Sequence, residues 1–499
     1  MATLEMESAV RSRLAQLLRD APDDAEAIEF EGRWWTWAAI RSAVAGIAAE
    51  LRAAGLGPAG RVGVVLENRP EHVCAVLAIL TSDRCLVTMS PLQPPERLAA
   101  DIGRSTVPIL IASPDVLARP GVQDAAAASG LVLRLDSGGR IERAAGAMPA
   151  EPVPSPGTAV EMLTSGTTGP PKRVRLSDRQ LDAGMVSGGQ APPADKLLRS
   201  GVSLVHTPLV HIGGLWGILA TLYVGRRAVL FPRWVLETWV SAIEKYRPRA
   251  SGLVPAALRT VIDADVPREK LSSLKAITSG TAPCPPEVAD KFQNMYGIRV
   301  LTTYGATEFA GAVAGWTLPL NVEWWDRKKG SAGRAFPGAQ LRVVSPDSGE
   351  ELPAGTVGIL EIRSAQAPGG AGHWQRTSDL AEIDEDGFLW IRGRADDAII
   401  RGGFKIHPDA VKTVLERHPA VLEAAVAGKP DRRLGQVPVA AVELRVGARP
   451  PDPAELIALC RQHLIPYEVP TEVLVVEQLP RGPSMKVSRP DLLDLFAAG

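Results

Sequence analysis

The sequence predicts an α/β protein: a large N-terminal domain of helix-covered, mostly parallel sheets carrying a β-rich subdomain, then a small α+β C-terminal domain. Three observations lead there. The chain has 499 residues, too many for one hydrophobic core. Strand-like and helix-like segments alternate from the N-terminus onward, the pattern of a sheet covered by helices. The texture then changes twice, near Gln340 to closely spaced strands, and after Arg394 to a last unit of about a hundred residues, enough for its own core. The expected bounds are 1–394 for the first domain, with the β-rich part at about 325–394, and 395–499 for the second.

Taken in order, Thr36 is placed to cap a helix whose apolar positions Ile40, Val44, Ile47 and Leu51 recur at helical spacing, with Gly55 as the stop. Residues 61–67, an apolar run, predict a buried strand, and Asn68-Arg69-Pro70 turns the chain into a helix through Val73, Val76 and Ile79. Further strands are expected near residues 131, 202 and 298. Closely spaced strands follow at 340–345, 358–364 and 388–394. Beyond them Pro408 opens a helix through Val411, Val414 and Leu415, and strands are expected at 420–428, 438–444 and 472–479 before a short terminal helix. The Ala- and Pro-rich stretches 124–130 and 145–156 read as surface connections.

Composition narrows the function classes. Hydrophobic residues make up 45% and charged residues 22%, an ordinary globular balance. A net charge of -1 offers no attraction to nucleic acid or to an anionic membrane. Cys74, Cys85, Cys284 and Cys460 are scattered without metal-ligand spacing, as expected of buried thiols in a reducing compartment. Residues 207–225 have the length of a membrane span, but Pro208, His211 and three glycines interrupt the apolar run. Strand-like segments on both sides favour a buried helix inside an α/β domain. With no apolar run at the N-terminus, the expectation is a cytoplasmic protein without a membrane span.

The strongest local signal is Thr164-Ser165-Gly166-Thr167-Thr168-Gly169-Pro170-Pro171-Lys172. Glycines let backbone N–H groups turn toward a phosphate, hydroxyls add donors, and a lysine adds a mobile positive charge. The spacing is not that of the nucleotide-triphosphatase P-loop, and the same residues also suit a surface turn. Other motifs follow: Thr303-Tyr304-Gly305-Ala306-Thr307-Glu308, Thr377-Ser378-Asp379-Leu380, Gly393-Arg394-Ala395-Asp396-Asp397, Gly402-Gly403-Phe404-Lys405, and Leu479-Pro480-Arg481 with Lys486-Val487 and Arg489. Their type, order and separation resemble the adenylate-forming superfamily of acyl-CoA synthetases, luciferases and peptide-synthetase adenylation domains, over nearly the whole chain.

The resemblance implies an ATP-dependent acid:CoA ligase that uses Mg²⁺, forms an acyl-adenylate with release of pyrophosphate, and passes the acyl group to coenzyme A with release of AMP. It implies that Lys172 and the loop residues 164–169 hold the phosphates, that Glu308 ligates Mg²⁺, and that Thr307 donates to a phosphate oxygen. Asp379 would accept from the ribose hydroxyls with Arg394 nearby, while Thr303, Tyr304 and Gly280-Thr281-Ala282 would enclose adenine. Lys486 would be the main catalytic charge, bridging the substrate carboxylate and the α-phosphate. The resemblance also implies that the C-terminal domain rotates about a hinge at Asp396, bringing Gly402 and Gly403 to the pantetheine arm of coenzyme A. An ordinary tight turn would account for those two glycines equally well.

By the same resemblance the acyl pocket is walled by His211, Gly213, Val254, Ser279, Gly280, Gly305, Phe309 and Ala312. Only His211 among them can carry charge, which suits an aryl or medium-chain apolar acid. His211 also occupies the position that flanks the substrate carboxylate in aryl-CoA ligases, and an ordinary core histidine is the competing account. Several residues depart from the family pattern: Arg173, Asp178, Thr281, Ser378, Arg401 and Met485. The alternatives are an adenylating enzyme that serves an amine or a separate carrier-protein thiol, and a nucleotide-binding protein without catalysis. The expected partner is a small-molecule carboxylic acid, with a second copy of the chain as a candidate.

Overall fold

The structure, a computed structural model, describes residues 8–164, 172–395, 399–401, 404–431, 434–464, 466–482 and 486–497. The first sheet has seven strands in the order Ile141–Ala145, Leu131–Leu135, Ile109–Ala112, Arg61–Val65, Cys85–Met89, Val160–Thr164 and Lys172–Leu176. The two outer strands run antiparallel to their neighbours and the rest are parallel. Arg61–Val65, Cys85–Met89 and Ile109–Ala112 are buried at every position, as parallel strands covered on both faces must be.

The helices beside them follow the periodicity. Thr36 Oγ1 accepts from the Ala39 N–H at 3.3 Å and starts the helix Trp37–Ala53, which buries Ile40, Val44, Ile47 and Leu51. The helix Pro70–Leu80 is buried all round because it packs on Trp37–Ala53 and on strands of two sheets, Glu26–Phe30 and Cys85–Met89. Cys74, Cys85 and Cys460 are buried free thiols, and burial pushes the Cys460 thiol up to about 11.

A second sheet runs Val202–Val205, Arg227–Leu230, Glu26–Phe30 and Arg33–Thr36. The apolar window 207–225 folds as the helix Ile212–Tyr223, burying Leu215, Ile218, Leu219 and Leu222, and no described helix is long and apolar enough to cross a membrane. A third sheet runs Ala250–Gly252, Ala276–Ser279, Arg299–Ala306, Gly311–Gly315 and Arg334–Ala335. Its parallel strands end at Ser279 and beyond Tyr304, so both motifs sit at carboxyl ends of strands, where open α/β sheets bind ligands.

The β-rich unit is an antiparallel sheet of Ala339–Val344, Gly358–Ser364, Gln375–Ile383 and Leu389–Arg394. Its sheet starts later than the expected 325, because Leu318–Lys328 packs on Arg299–Ala306 and Arg334–Ala335 pairs into the third sheet. The stretch 124–130 corrects the sequence reading: it lies largely in the helix Val122–Ser129, which buries Val122 and Ala126, since a run of alanines favours helix.

Residues 399–497 build their own sheet, Phe404–Ile406, Ile399–Arg401, Gly435–Leu444 and Val421–Asp431, with Glu472–Val476 parallel to Gly435–Leu444. Pro408–Leu415 and Pro453–His463 cover one hydrophobic cluster, and Arg489–Asp494 contributes Leu492 to another.

Candidate active site

Val160–Thr164 and Lys172–Leu176 form the two antiparallel arms of the phosphate-loop candidate, with Thr164 opposite Lys172. Ser165, Gly166, Thr167, Thr168 and Gly169 lie outside the described residues. Lys172 is exposed at the start of its arm. Arg173, a departure from the family pattern, turns to the other face: Nη1 donates to Thr88 O at 3.0 Å and Nη2 meets both Asp101 oxygens at 2.9 and 3.0 Å. The Asp101 side chain is 2% exposed, so the arginine neutralises a buried carboxylate and fastens the arm to the helix Pro95–Ser105. Asp178 follows the N-cap Ser177, where a carboxylate is favoured at a helix N-terminus, and it pairs with Arg11 Nε at 2.5 Å.

Cross-strand register brings Asp379 opposite Arg394. The Tyr304 hydroxyl donates to Asp379 Oδ2, and Arg394 Nη1 lies 3.9 Å from Asp379 Oδ1. Burial, then the adjacent Asp379 charge, push the Tyr304 phenol above its usual range, so it remains a donor. Ser378, which replaces glycine, accepts from Arg394 Nη2 at 2.5 Å and so supplies a partner that glycine lacks.

Gly280 packs against the next strand so closely that a Cβ there would lie 2.7 Å from Thr303 Oγ1. Thr281 and Ala282 are exposed beyond it. Thr281 has φ +68°, a backbone region that β-branched residues avoid. A Cβ on Gly213 would meet Thr281 Cγ2 at 3.9 Å and Thr207 Cγ2 at 3.7 Å, which are ordinary contacts. Gly214 has no such room, since its Cβ would fall 2.1 Å from Pro208 O. A Cβ on Gly305 would lie 2.1 Å from Gly311 O, so its absence permits the hairpin that follows.

Thr307–Phe309 is a 3-10 turn with Thr307 half-buried. Glu308 is exposed, and its carboxylate has neither hydrogen bond nor ion pair among the described residues. Phe309 is 1% exposed and packs with Val313, Leu360 and Leu389, and Ser279 is 1% exposed. Val254 is exposed and Ala312 half-buried.

His211 is the N-cap residue of Ile212–Tyr223, and its Nε2 is buried without a hydrogen-bond partner among the described residues. Burial first, and the Lys486 ammonium second, hold His211 below the usual imidazole range, so the ring is neutral near neutral pH. The Lys486 charge is therefore felt at His211. Lys486 is exposed on a loop closed by Gly482 N donating to Lys486 O at 2.8 Å and anchored by Arg481 Nη2 to Glu423 at 2.6 Å. Arg259 Nη1 of the large unit donates across the seam between the two units to Leu422 O of the C-terminal unit at 3.1 Å. Asp396, Gly402 and Gly403 lie outside the described residues.

Sequence reasoning missed several supporting residues. Asn68 Nδ2 donates to Thr207 O and Phe231 O, and its Oδ1 accepts from Leu209 N, which ties down the segment leading to His211. Gln180 and Gln366 bind the backbone of the Glu308 turn. Buried amides of this kind occur singly, without periodicity, and nothing in the residue order marks them.

Residues 15–370 match the family described as AMP-binding enzyme, and residues 410–486 match its C-terminal domain. The chain is 30% identical over 502 residues to an indoleacetate–CoA ligase from Aromatoleum aromaticum, covering 94% of this chain and 95% of that protein. It is 33% identical over 514 residues to a methyl-dioxo-octahydroindenyl-propanoyl:CoA ligase from Mycobacterium tuberculosis, covering 97% and 98%. Among solved structures, the amide bond synthetase McbA from Marinactinospora thermotolerans superposes with a TM-score of 0.80 at 27% identity, covering 98% and 100%.

Proposed function

The chain belongs to the AMP-binding enzyme family and is an acid–thiol ligase, and from that premise we propose that it activates a cyclic or medium-chain apolar carboxylic acid and delivers it to coenzyme A. The observation that carries the substrate class is the neutral His211, whose Nε2 has no partner among the described residues, together with the Lys486 charge that it feels and a glycine at 213. One ammonium and one uncharged imidazole suit a single carboxylate followed by apolar bulk. The two ligases named above act on acids of that kind.

In this reading the substrate carboxylate is already ionised at neutral pH, with a pKa near ~4–5, so no general base is required. The obstacle is the approach of one anion to another. Lys486 offsets it by standing between the carboxylate and the α-phosphate as an oxygen attacks phosphorus and pyrophosphate departs. Lys172 and residues 164–169 hold the phosphates that leave, with Thr307 donating to one of their oxygens. Asp379 accepts from ribose, and Gly280, Thr281, Ala282, Thr303 and Tyr304 border adenine. Glu308 fits Mg²⁺, being an exposed, acceptor-only oxygen donor without a protein partner among the described residues; bound there, the ion would neutralise phosphate charge. In the second half-reaction a thiolate attacks the acyl carbonyl and AMP leaves. We assign the boundary between the units to the hinge at Asp396, whose rotation would exchange Lys486 for Gly402-Gly403.

The test is acid-dependent pyrophosphate release with MgATP across aryl, bicyclic, medium-chain and dicarboxylic acids, with and without coenzyme A. Acyl-CoA formed from apolar monoacids supports the reading, and a preference for dicarboxylates or amino acids overturns the substrate class. Release without acyl-CoA would favour an amine acceptor, the reading that the likeness to an amide bond synthetase keeps open.

A further inference from the structure

Gln180 and Gln366 are 3% and 1% exposed, unusual burial for long amides. Their donors converge on one short segment. Gln180 Nε2 donates to Glu308 O at 2.9 Å and to Gln366 O at 2.9 Å. Gln366 Nε2 donates to Phe309 O at 2.9 Å and to Ala312 O at 3.2 Å. Between those carbonyls the backbone passes through two left-handed positions, Ala310 at φ +51° and Gly311 at φ +137°. Residues 307–310 lie between the paired strands Arg299–Ala306 and Gly311–Gly315, outside their ladder, so the carbonyls of Glu308 and Phe309 draw on side-chain donors.

The other end of Gln180 is equally committed. Its Oε1 accepts from Ser177 N at 3.0 Å and from Ser177 Oγ at 3.1 Å, fixing it at the start of the helix Asp178–Ser187. That helix follows directly on the arm Lys172–Leu176. One amide thus connects the exit of the phosphate-loop hairpin to the carbonyl of Glu308, and a second connects the turn after the strand Gly358–Ser364 to Phe309 and Ala312. All four donor hydrogens are spent on main-chain oxygens, an arrangement that orients backbone and ignores the side chains it carries.

We propose that Gln180 and Gln366 are positioning residues for the ligase reaction: a two-amide clamp that sets the turn 307–312 against the Lys172 arm. The clamp keeps the cation ligand Glu308 and the pocket residue Ala312 in one register. The proposal rests on the reading of Glu308 as the Mg²⁺ ligand. Neither glutamine touches substrate; each acts through the turn.

The experiment titrates Mg²⁺ and acid in the pyrophosphate-release assay for the wild type, Gln180→Met, Gln366→Met and the shorter Gln366→Asn, and follows acyl-CoA formation from supplied acyl-adenylate in the same proteins. Gln180→Met loses one hydrogen bond to the turn and Gln366→Met loses two, so the half-saturating Mg²⁺ and the KM for acid should rise together, by about fivefold in the first and about tenfold in the second. Thioester formation from supplied adenylate should change by less than about twofold, because the phosphates that the turn serves have already left. The double variant Gln180→Met/Gln366→Met should cost less than the sum of the singles, since they support one turn. Unchanged Mg²⁺ dependence, or an equal loss in both half-reactions, would overturn the clamp. Glu308→Gln is run alongside. If that variant leaves the Mg²⁺ dependence unmoved, the assignment of Glu308 fails, whatever the glutamine variants do. If Gln366→Met does not fold, the Mg²⁺ dependence of Gln366→Asn and Gln180→Met decides.

Discussion

Arg173 and Asp101 form a buried ion pair, in which the guanidinium faces both oxygens of a carboxylate 2% exposed to solvent. Removing one partner strands the other charge, at a cost on the order of 3–5 kcal/mol. Arg173→Gly is therefore expected to destabilise the protein strongly in urea unfolding and to raise the KM for ATP, since the same strand carries Lys172. Asp101→Leu with Arg173→Met should recover most of the stability. A glycine variant of undiminished stability would show that the pair is dispensable.

Lys486→Ala should abolish acid-dependent pyrophosphate release yet leave acyl-CoA formation from supplied acyl-adenylate within about threefold of wild type. The ammonium is useful only while the carboxylate and the α-phosphate repel each other. Comparable loss in both half-reactions would remove Lys486 from that role.

Thr281 occupies φ +68°, where a β-branched residue stores about 1–3 kcal/mol of strain. Thr281→Gly relieves it, so thermal unfolding should show no loss of stability despite the added freedom of the unfolded chain. With the methyl beside Gly213 gone, the variant should also accept bulkier acids, read as kcat/KM across an acid series. A clear fall in Tm with unchanged selectivity would contradict both expectations.

Glu71 is 3% exposed, beside Arg69 at 3.6 Å and close to Glu67 and His72. Burial, its largest cause, raises its carboxyl from 4.5 to about 7, while burial holds His72 near 3 and hence neutral throughout this window. The folded state binds the Glu71 proton more tightly than the unfolded state does. Its stabilising contribution is thus complete below pH ~4.5 and lost as pH rises toward 7. Glu71→Gln should flatten that decline, gaining up to about 3 kcal/mol over wild type at pH 8 at ~1.36 kcal/mol per pH unit. Parallel stability curves for the two proteins between pH 5 and 8 would refute the coupling.

Much of this architecture was legible because apolar spacing reports which faces are covered. The Trp37–Ala53 and Pro70–Leu80 helices and the strands around them follow directly from it. The strand Gln375–Ile383 escaped because its first residues, Gln-Arg-Thr-Ser-Asp, are chosen for a site and do not alternate. Pro453–His463 escaped because it buries only Leu456 and Cys460. Nucleotide-side candidates such as Asp379 and Arg394 were nameable from motifs, and the register places them opposite each other. The burial of Phe309 and Ser279 was not legible, since a motif gives neighbours along the chain but not depth. Gln180, Gln366 and Asn68 act on main-chain oxygens far away in sequence, and no local pattern encodes such a contact.

The hydrogen bond from Arg259 to the Leu422 carbonyl is made to an atom that every amino acid possesses. Substitution at 422 leaves that acceptor in place, whereas substitution at 259 removes the donor. The seam is therefore written asymmetrically: this contact is encoded in the side chain of the large unit and only in the backbone path of the small one. A C-terminal unit exchanged from a relative could keep this contact with a different residue at 422, provided its chain followed the same path.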